Sequence, residues 1–366
     1  MHKKFTFLTR AELMLDSWFN LGERHDFLDN ESFLGLAGEC LRQSGVNIPA
    51  GDTRQLITRA LTSSDFSKLL ADVTTKLLQK GFEVQPRTYQ HWMEPWPVPD
   101  FKDVEVPRIG WPAELPELNP NGGEYDYLAM TDAGETASIS TRGGIIKFSR
   151  KLLVNDDRGA LRERARAGGL LAARTMSRRA YSVLLSPGNL SDSTAFFHST
   201  RGNLLEGDAG TTYALSADAL GAAIAALRSQ QDDSGSFLDF QPKFLLVPPA
   251  LELTAWSLCH SGSLLGQDNA GVNNLFREKY GIVPIVSPEL GDTELGGNSR
   301  DWYLFSDPVI TPASFKMLSM GPSWPKPYTD QLVGWRSDNL EFKVRLDFQV
   351  AAINPLGCVK ISVHSE

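Results

Sequence analysis

Residues 122–187 read GGEYDYLAMTDAGETASISTRGGIIKFSRKLLVNDDRGALRERARAGGLLAARTMSRRAYSVLLSP, and this run sets the architecture of the chain. Its first half predicts a β-hairpin with limbs over 124–130 and 136–149 and a turn of small and polar residues near 131–135. Its second half predicts a helix over about 158–185, because apolar residues recur at helical spacing and Pro187-Gly188 ends the pattern. A long hairpin that leads into a long helix exposes much surface, which is typical of a subunit that contacts its neighbours.

Arginines dominate the predicted helix, where Glu163 is the one acid between Arg158 and Arg179. Two interpretations of this bias stay open. The arginines form a solvated face, or they form a basic surface that meets an anionic partner.

The bulk composition is that of a folded soluble protein, with 366 residues, 42% hydrophobic and 22% charged residues, and a net charge of −8. The negative charge argues against a simple nucleic-acid-binding protein. Cys40, Cys259 and Cys358 have no CxxC spacing, which fits a reducing compartment and excludes a cysteine zinc site. An apolar run of about 20 residues and a secretory h-region are both missing, so we expect no membrane association and folding in the cytoplasm.

The region before the hairpin changes character near residue 86. Residues 1–85 predict short helices, the last of which we expect Gly81 to close. Residues 86–121 are rich in proline and predict an extended segment. The aromatic side chains of this segment indicate a surface against which it packs; its tryptophans are Trp92, Trp96 and Trp111.

The region after the helix predicts a compact α/β domain over about 189–326. Its strongest signals are apolar strands near 244–247, 283–286 and 302–305 and a helix that Ser216 caps. A strand over 341–350 follows, in which every second residue is apolar, so one face is buried and the other is solvated.

Motifs that carry enzyme chemistry are missing from the sequence. It holds no P-loop, GxGxxG, GxSxG or HExxH pattern. Asp156-Asp157 and Asp232-Asp233 are better explained as caps and turns than as metal ligands. His198 is a candidate general base, although a structural histidine is favoured without a nucleophile motif. We expect no catalytic residue, no metal and no cofactor.

Several short segments together resemble one family. They are Leu36-Ala37-Gly38-Glu39-Cys40-Leu41, Ser63-Ser64-Asp65-Phe66, Pro86-Arg87-Thr88-Tyr89, Gly122-Gly123-Glu124-Tyr125, Phe148-Ser149-Arg150, Val154-Asn155-Asp156-Asp157, Gly202-Asn203-Leu204, Leu245-Leu246-Val247-Pro248-Pro249 and Phe342-Lys343-Val344-Arg345-Leu346-Asp347-Phe348. In this order the chain resembles the major capsid proteins of tailed bacteriophages with the HK97 fold. It is most similar to the branch in which the capsid protein is fused behind a ClpP-like prohead protease.

The resemblance implies an α+β, HK97-like capsid fold with peripheral and axial domains. The implied parts are an N-terminal helical segment (1–60), an N-arm (61–120), an E-loop hairpin (121–150), a spine helix (151–189), an axial domain (190–325) and C-terminal strands that return to the peripheral domain (326–366). Residues 1–60 do not contain a protease. Both their retention as an interaction segment and their loss on maturation are open.

The resemblance also implies an icosahedral shell of hexamers and pentamers that encloses double-stranded DNA, located in the virion and assembled in the bacterial cytoplasm. The implied partners are a portal, a scaffold or prohead protease, in some relatives a decoration protein, and non-specifically bound DNA. Contacts between subunits are expected at Trp92, Trp96, Trp111, Tyr125, Tyr127 and Lys147. A basic face toward the lumen is expected at Arg158, Arg162, Arg166 and Arg174. Some arginines should pair with acids of neighbouring chains, such as Glu341 or Asp347.

Two alternatives stay open. An encapsulin-like compartment of the same fold would enclose protein cargo instead of DNA. A cytosolic α/β hydrolase would use His198 as its base.

Overall fold

The structure is a computed structural model. It describes residues 7–19, 21, 32–46, 55–56, 59–60, 64–110, 131–149, 155, 158–207, 213–232, 235–262, 274–309, 313–321, 326–329 and 339–363. The chain divides into two units. The first unit comprises 1–86, 141–176 and 321–347, and the second comprises 87–140, 177–320 and 348–366.

The helices and strands are numbered in chain order. The helices are α1 (Phe7–Trp18), α2 (Phe33–Gln43), α3 (Ser64–Val84), α4 (Arg158–Leu185), α5 (Ala217–Arg228) and α6 (Glu252–His260). The strands are β1 (Met93–Pro97), β2 (Val104–Gly110), β3 (Thr131–Ala137), β4 (Ser140–Ser149), β5 (Leu204–Glu206), β6 (Pro242–Val247), β7 (Val283–Val286), β8 (Trp302–Ser306), β9 (Phe315–Ser319), β10 (Lys326–Thr329), β11 (Asn339–Ala352) and β12 (Cys358–Ser362).

The first unit is built on packed helices. The apolar sides of α1, α2 and α3 enclose one core, to which α4 contributes Leu161 and Ala165 and β11 contributes Phe342. Ser32 caps α2, because its hydroxyl accepts a hydrogen bond from the N–H of Gly35 at 3.1 Å. Two strands, β4 and β10, pair with β11.

Gly81 does not close α3, contrary to the expectation from sequence. The helix continues to Val84, and a β-carbon on Gly81 would overlap the carbonyl oxygen of Arg166 in α4. Glycine is needed here because two helix backbones approach each other, which is a second reason for glycine in a helix besides termination.

The second unit contains a sheet in the order β5-β12-β8-β6-β7. The helices α5 and α6 pack on it around a core of aliphatic residues with Trp302. Ser216 caps α5 as predicted, through a 3.2 Å hydrogen bond from the N–H of Ala219 to its hydroxyl. In the same unit β1 runs parallel to β9, and β9 runs antiparallel to the last residues of β11.

The hairpin of the second unit differs from its prediction. Residues 131–135 belong to strand β3, which pairs antiparallel with β2 from Val104↔Ala137 to Gly110↔Thr131, so they are not the turn. Small and polar residues suit an exposed two-stranded ribbon as well as a turn, and Pro107 obscures the strand character of β2. The predicted limb over 124–130 lies outside the described residues. The second predicted limb contains β4, which pairs with β11 instead.

Five further predicted elements are confirmed. Helix α4 spans the predicted residues. Strands β6, β7 and β8 contain the apolar segments that are predicted as strands near 244–247, 283–286 and 302–305. Strand β11 buries the predicted alternate residues, which are Phe342, Val344, Leu346, Phe348 and Val350.

Candidate assembly surfaces

The ribbon of β2 and β3 is the first candidate surface. Val106 is fully buried, whereas Glu105 and Thr136 on the same ribbon are exposed. A two-stranded ribbon is marginally stable alone in water. The ribbon therefore depends on whatever holds its base.

An apolar cluster holds that base. Val98, Ile139 and Leu318 are buried together, and Val104 and Ala137 of the ribbon pack against them. Strand β2 begins at this cluster and β3 ends at it. The cluster therefore fixes this end of the ribbon.

A carboxylate holds the ribbon from the side. The oxygens of Glu135 accept hydrogen bonds from the backbone N–H of Ser191 at 3.0 and 3.1 Å and from its hydroxyl at 2.8 Å. A charged acceptor that binds two donors at one residue is stronger than a single neutral hydrogen bond. Glu135 thus ties β3 to the turn after α4.

Trp92 requires a correction, because this chain buries it. Its side chain is 1% exposed, and its ring lies 5.4–5.5 Å from the rings of Tyr181, Phe305 and Phe315. Almost none of the Trp92 side chain is left exposed for contact with a neighbouring subunit. The burial of Trp92 could not be predicted from the sequence, because Tyr181, Phe305 and Phe315 lie far from it in the chain.

The other two tryptophans differ from Trp92. Trp96 is half-buried, and Lys316 places its ammonium 3.8 Å from the ring centroid while it pairs with Glu94 at 3.2 Å. Part of the Trp96 ring stays accessible, so its contact with another subunit stays a prediction. Trp111 lies outside the described residues.

Tyr181 shows how tightly the core around Trp92 is closed. Burial raises the pKa of its hydroxyl above the usual value, and the hydroxyl lies 2.7 Å from that of Thr88. The neutral phenol is therefore the form that the core holds.

Lys147 is exposed at the surface of the first unit. Its ammonium lies 3.3 Å from Glu341, and Arg164 donates a hydrogen bond to its carbonyl oxygen at 3.2 Å. An exposed pair of this kind contributes about 0–1 kcal/mol. Tyr125 and Tyr127, predicted beside Lys147, lie outside the described residues.

The arginines of α4 fall into several groups. Arg158 stacks on Trp18 at 3.8 Å, and Arg162 pairs with Glu163 at 3.4 Å. Arg158, Arg162 and Arg166 recur every four residues and so lie along one face. Arg166 and Arg174 are exposed.

The last two arginines of α4 form contacts within the second unit. Arg178 pairs with Asp292 at 3.4 Å and with Glu294 at 3.1 Å, and Arg179 donates to Gln349 at 3.1 Å. These contacts fix the C-terminal end of α4.

The two acids that are expected to pair with arginines of neighbouring chains have partners within this chain. Glu341 pairs with Lys147, and Asp347 accepts from Thr141 at 2.7 Å and lies 3.1 Å from Arg345. These contacts arise because β4 lies beside β11 in the sheet, and the pairing of the two acids with arginines of neighbouring chains stays a prediction.

His198 has the geometry of a turn cap. Its Nδ1 accepts from the N–H of Thr200 at 3.2 Å and lies 2.8 Å from the Thr200 hydroxyl, while its own backbone N–H donates to Asn203 at 2.8 Å. This arrangement favours the structural histidine over the general base of a hydrolase.

Two of the three thiols, those of Cys259 and Cys358, are poor nucleophiles. Burial raises the pKa of Cys259 to about 12 and that of Cys358 to about 12, so both are protonated at neutral pH. Within the part of the chain that the structure describes, no group of three His, Cys, Asp or Glu side chains could hold a metal ion. Among the same residues, no helix is long and apolar enough to cross a membrane.

The first unit also has an apolar groove of about 280 Å³, which the sequence analysis did not predict. Exposed apolar side chains stand on its rim, with Ile145 57% and Leu171 67% accessible. The available signal was the pair Gly143-Gly144, since a β-carbon on Gly143 would overlap the carbonyl oxygen of Val344. The groove lining includes Gly143, Ile145, Gly168, Leu171, Val344 and Leu346.

Comparison with known proteins places these surfaces in context. The model of the family described as phage capsid protein matches residues 134–361. The chain belongs to this phage capsid protein family. The match begins inside β3 and ends in β12, so α1, α2, α3, β1 and β2 of this capsid protein precede it. No curated protein matches the sequence.

Several solved structures are similar to the chain. A phage-related protein from Bordetella bronchiseptica has a TM-score of 0.50 at 14% identity, over 78% of this chain and 95% of its own. The mature capsid of bacteriophage PhiM1 has a TM-score of 0.48 at 14% identity, over 76% and 87%. A virus-like particle from Pyrococcus furiosus has a TM-score of 0.47 at 13% identity, over 80% and 98%. The capsid protein has the HK97-like fold, mixed in helix and sheet.

Proposed function

We propose that the chain is the major capsid subunit of a tailed phage, which self-assembles into a closed icosahedral shell around double-stranded DNA. The observation that carries this proposal is the match of the phage capsid protein family to residues 134–361. The role is structural, and the turn-capping geometry of His198 and the protonated thiols support that reading.

The ribbon supplies a means of assembly. It extends from a fixed base at Ile139 and Glu135, and a two-stranded ribbon is marginally stable without a partner surface. Packing on a neighbouring subunit would bury what the ribbon leaves exposed, and each such contact recurs in every subunit of a shell. Weak contacts repeated many times suffice for a stable particle.

The basic face has a role in the same proposal. Arg166 and Arg174 are exposed, so they are free to approach phosphates without first breaking a described ion pair. Such contacts are independent of base sequence and weaken as salt is added. We therefore place this face toward the lumen.

The wider assembly follows from the same role. We propose hexamers and pentamers, a portal, a scaffold or prohead protease, and assembly in the host cytoplasm before the subunit becomes part of the virion. A decoration protein is a further partner within this proposal.

Analysis of purified particles tests the proposal. We expect sedimentation at megadalton size and nucleic acid inside the particles. Shells that hold a cargo enzyme and no DNA would support an encapsulin-like compartment instead. A small oligomer that hydrolyses ester substrates, and loses this activity in His198→Ala, would overturn the capsid proposal.

A further inference from the structure

Helices α1 and α2 present a continuous apolar face. In the helix pair, every side chain of this face is at most 7% exposed. The face consists of Ala11, Met14, Leu15, Trp18, Phe19, Phe33, Leu36, Ala37, Cys40 and Leu41.

The opposite face belongs to α3 with short parts of α4 and β11. All of its side chains are at most 3% exposed in the complete unit. It consists of Phe66, Leu69, Leu70, Val73, Leu77, Leu161, Ala165 and Phe342. Without α1 and α2 these large apolar side chains would meet water.

Specific contacts fix the helix pair in one position. Lys76 of α3 binds both carboxylate oxygens of Asp16 at 2.6 and 2.7 Å. The guanidinium of Arg158 in α4 stacks on Trp18, and the Trp18 ring meets Phe33 edge-on at 5.4 Å. The partly exposed ion pair contributes little energy but sets the position of the helix pair, and the buried apolar face supplies most of the attachment.

We infer that α1 and α2 are a permanent part of the capsid subunit, which stays on α3 and α4 when the shell assembles and matures. The inference concerns a region that precedes the family match at residue 134. It answers the question that the sequence leaves open for residues 1–60, in favour of retention. Its first test concerns the folded subunit alone, and only its second test rests on the proposed function.

The first test cuts the chain between the helix pair and α3. A site for a sequence-specific protease is inserted within residues 47–54 of the full chain. After cleavage we expect the fragment that carries α1 and α2 to elute with the rest of the subunit. Separation of the two fragments in native buffer, with an unchanged melting temperature of the remainder, would overturn the inference.

Matched variants show whether the apolar face is responsible. Leu15→Ala combined with Trp18→Ala should release the fragment after cleavage, because both side chains are buried against the core. Glu12 lies on the exposed side of the same helix, so Glu12→Gln should leave the fragment bound after cleavage. Equal retention in both variants would show that this face does not hold the pair.

The second test uses assembled shells and needs no engineered site. Peptides from α1 and α2 are quantified by mass spectrometry against peptides from α4. A molar ratio near one is expected, and a ratio near zero would show that the helix pair is removed. If the chain forms no shells, the proposed function fails, and the cleavage test still decides whether α1 and α2 are a permanent part of the folded subunit.

Discussion

Gly169 of α4 lies against the carbonyl group of Leu78 in α3, so closely that a β-carbon at this position would overlap it. The relationship is reciprocal, because Gly81 of α3 lies against the carbonyl group of Arg166 in α4. Helices α3 and α4 therefore cross with their backbones in contact. Glycine at both positions is a requirement of packing rather than of chain flexibility.

Gly169→Ala should destabilise the subunit. Alanine favours a helix over glycine by about 1 kcal/mol, but overpacking at a rigid backbone contact costs about 1–3 kcal/mol or more. We expect the packing cost to win and the melting temperature to fall. Gly221→Ala on α5 is the matched control, because nothing lies within 4 Å of its added β-carbon. That variant should be neutral or stabilised, and an equal change in both would contradict the close crossing.

Trp92→Ala should destabilise the unassembled subunit. The ring is enclosed by Tyr181, Phe305 and Phe315, and removal of a buried tryptophan costs about 3–5 kcal/mol. Trp96→Ala should cost less, since Trp96 is half-buried. Denaturant unfolding of monomeric protein measures both. A Trp92→Ala subunit with unchanged stability and weaker shells would return Trp92 to the interface between subunits.

Much of the fold could be predicted from local periodicity. The alternation from Phe342 to Val350 defined β11, and helical spacing defined α4. Contacts between distant segments could not be predicted in this way. The burial of Trp92 depends on Tyr181, Phe305 and Phe315, and the pairing of 131–137 with 104–110 depends on a register that polar sequence does not specify.

The assembly surfaces were harder to predict than the fold. Glu135 acts through Ser191, which is 56 residues away in the chain. Its role is invisible in the sequence because acids are common on exposed strands. Lys147 is predicted to contact a neighbouring subunit, and its ion pair with Glu341 within the chain could not be predicted, because the two residues lie far apart in the sequence.

Glu135→Gln should loosen the base of the ribbon. The amide keeps the size of the side chain but loses the charge that strengthens both hydrogen bonds from Ser191. Faster amide hydrogen exchange in β3 and a broader distribution of shell diameters are expected. Asp103→Asn is the control, because Asp103 is exposed just before β2. Identical exchange and diameters in the two variants would show that Glu135 does not position the ribbon.

The exposed arginines should matter for DNA rather than for folding. Arg166→Glu with Arg174→Glu should lower the DNA content of shells more than Arg166→Ala with Arg174→Ala, because reversed charge repels phosphate. Both pairs should leave the melting temperature of the free subunit nearly unchanged. The ratio of nucleic acid to protein in purified particles measures the effect. Equal DNA content would mean that these residues are only a solvated face.

The most direct measurement compares shell formation by the full chain and by a chain with a shortened ribbon. Gly110 and Thr131 are paired at the last described rung of β2 and β3, so Asn-Gly in place of residues 111–130 can close the ribbon there. Electron microscopy should show closed shells for the full chain. The shortened chain should stay folded and soluble, with its melting temperature retained, and form none. Normal shells from the shortened chain, or no particles from the full chain, would contradict the account.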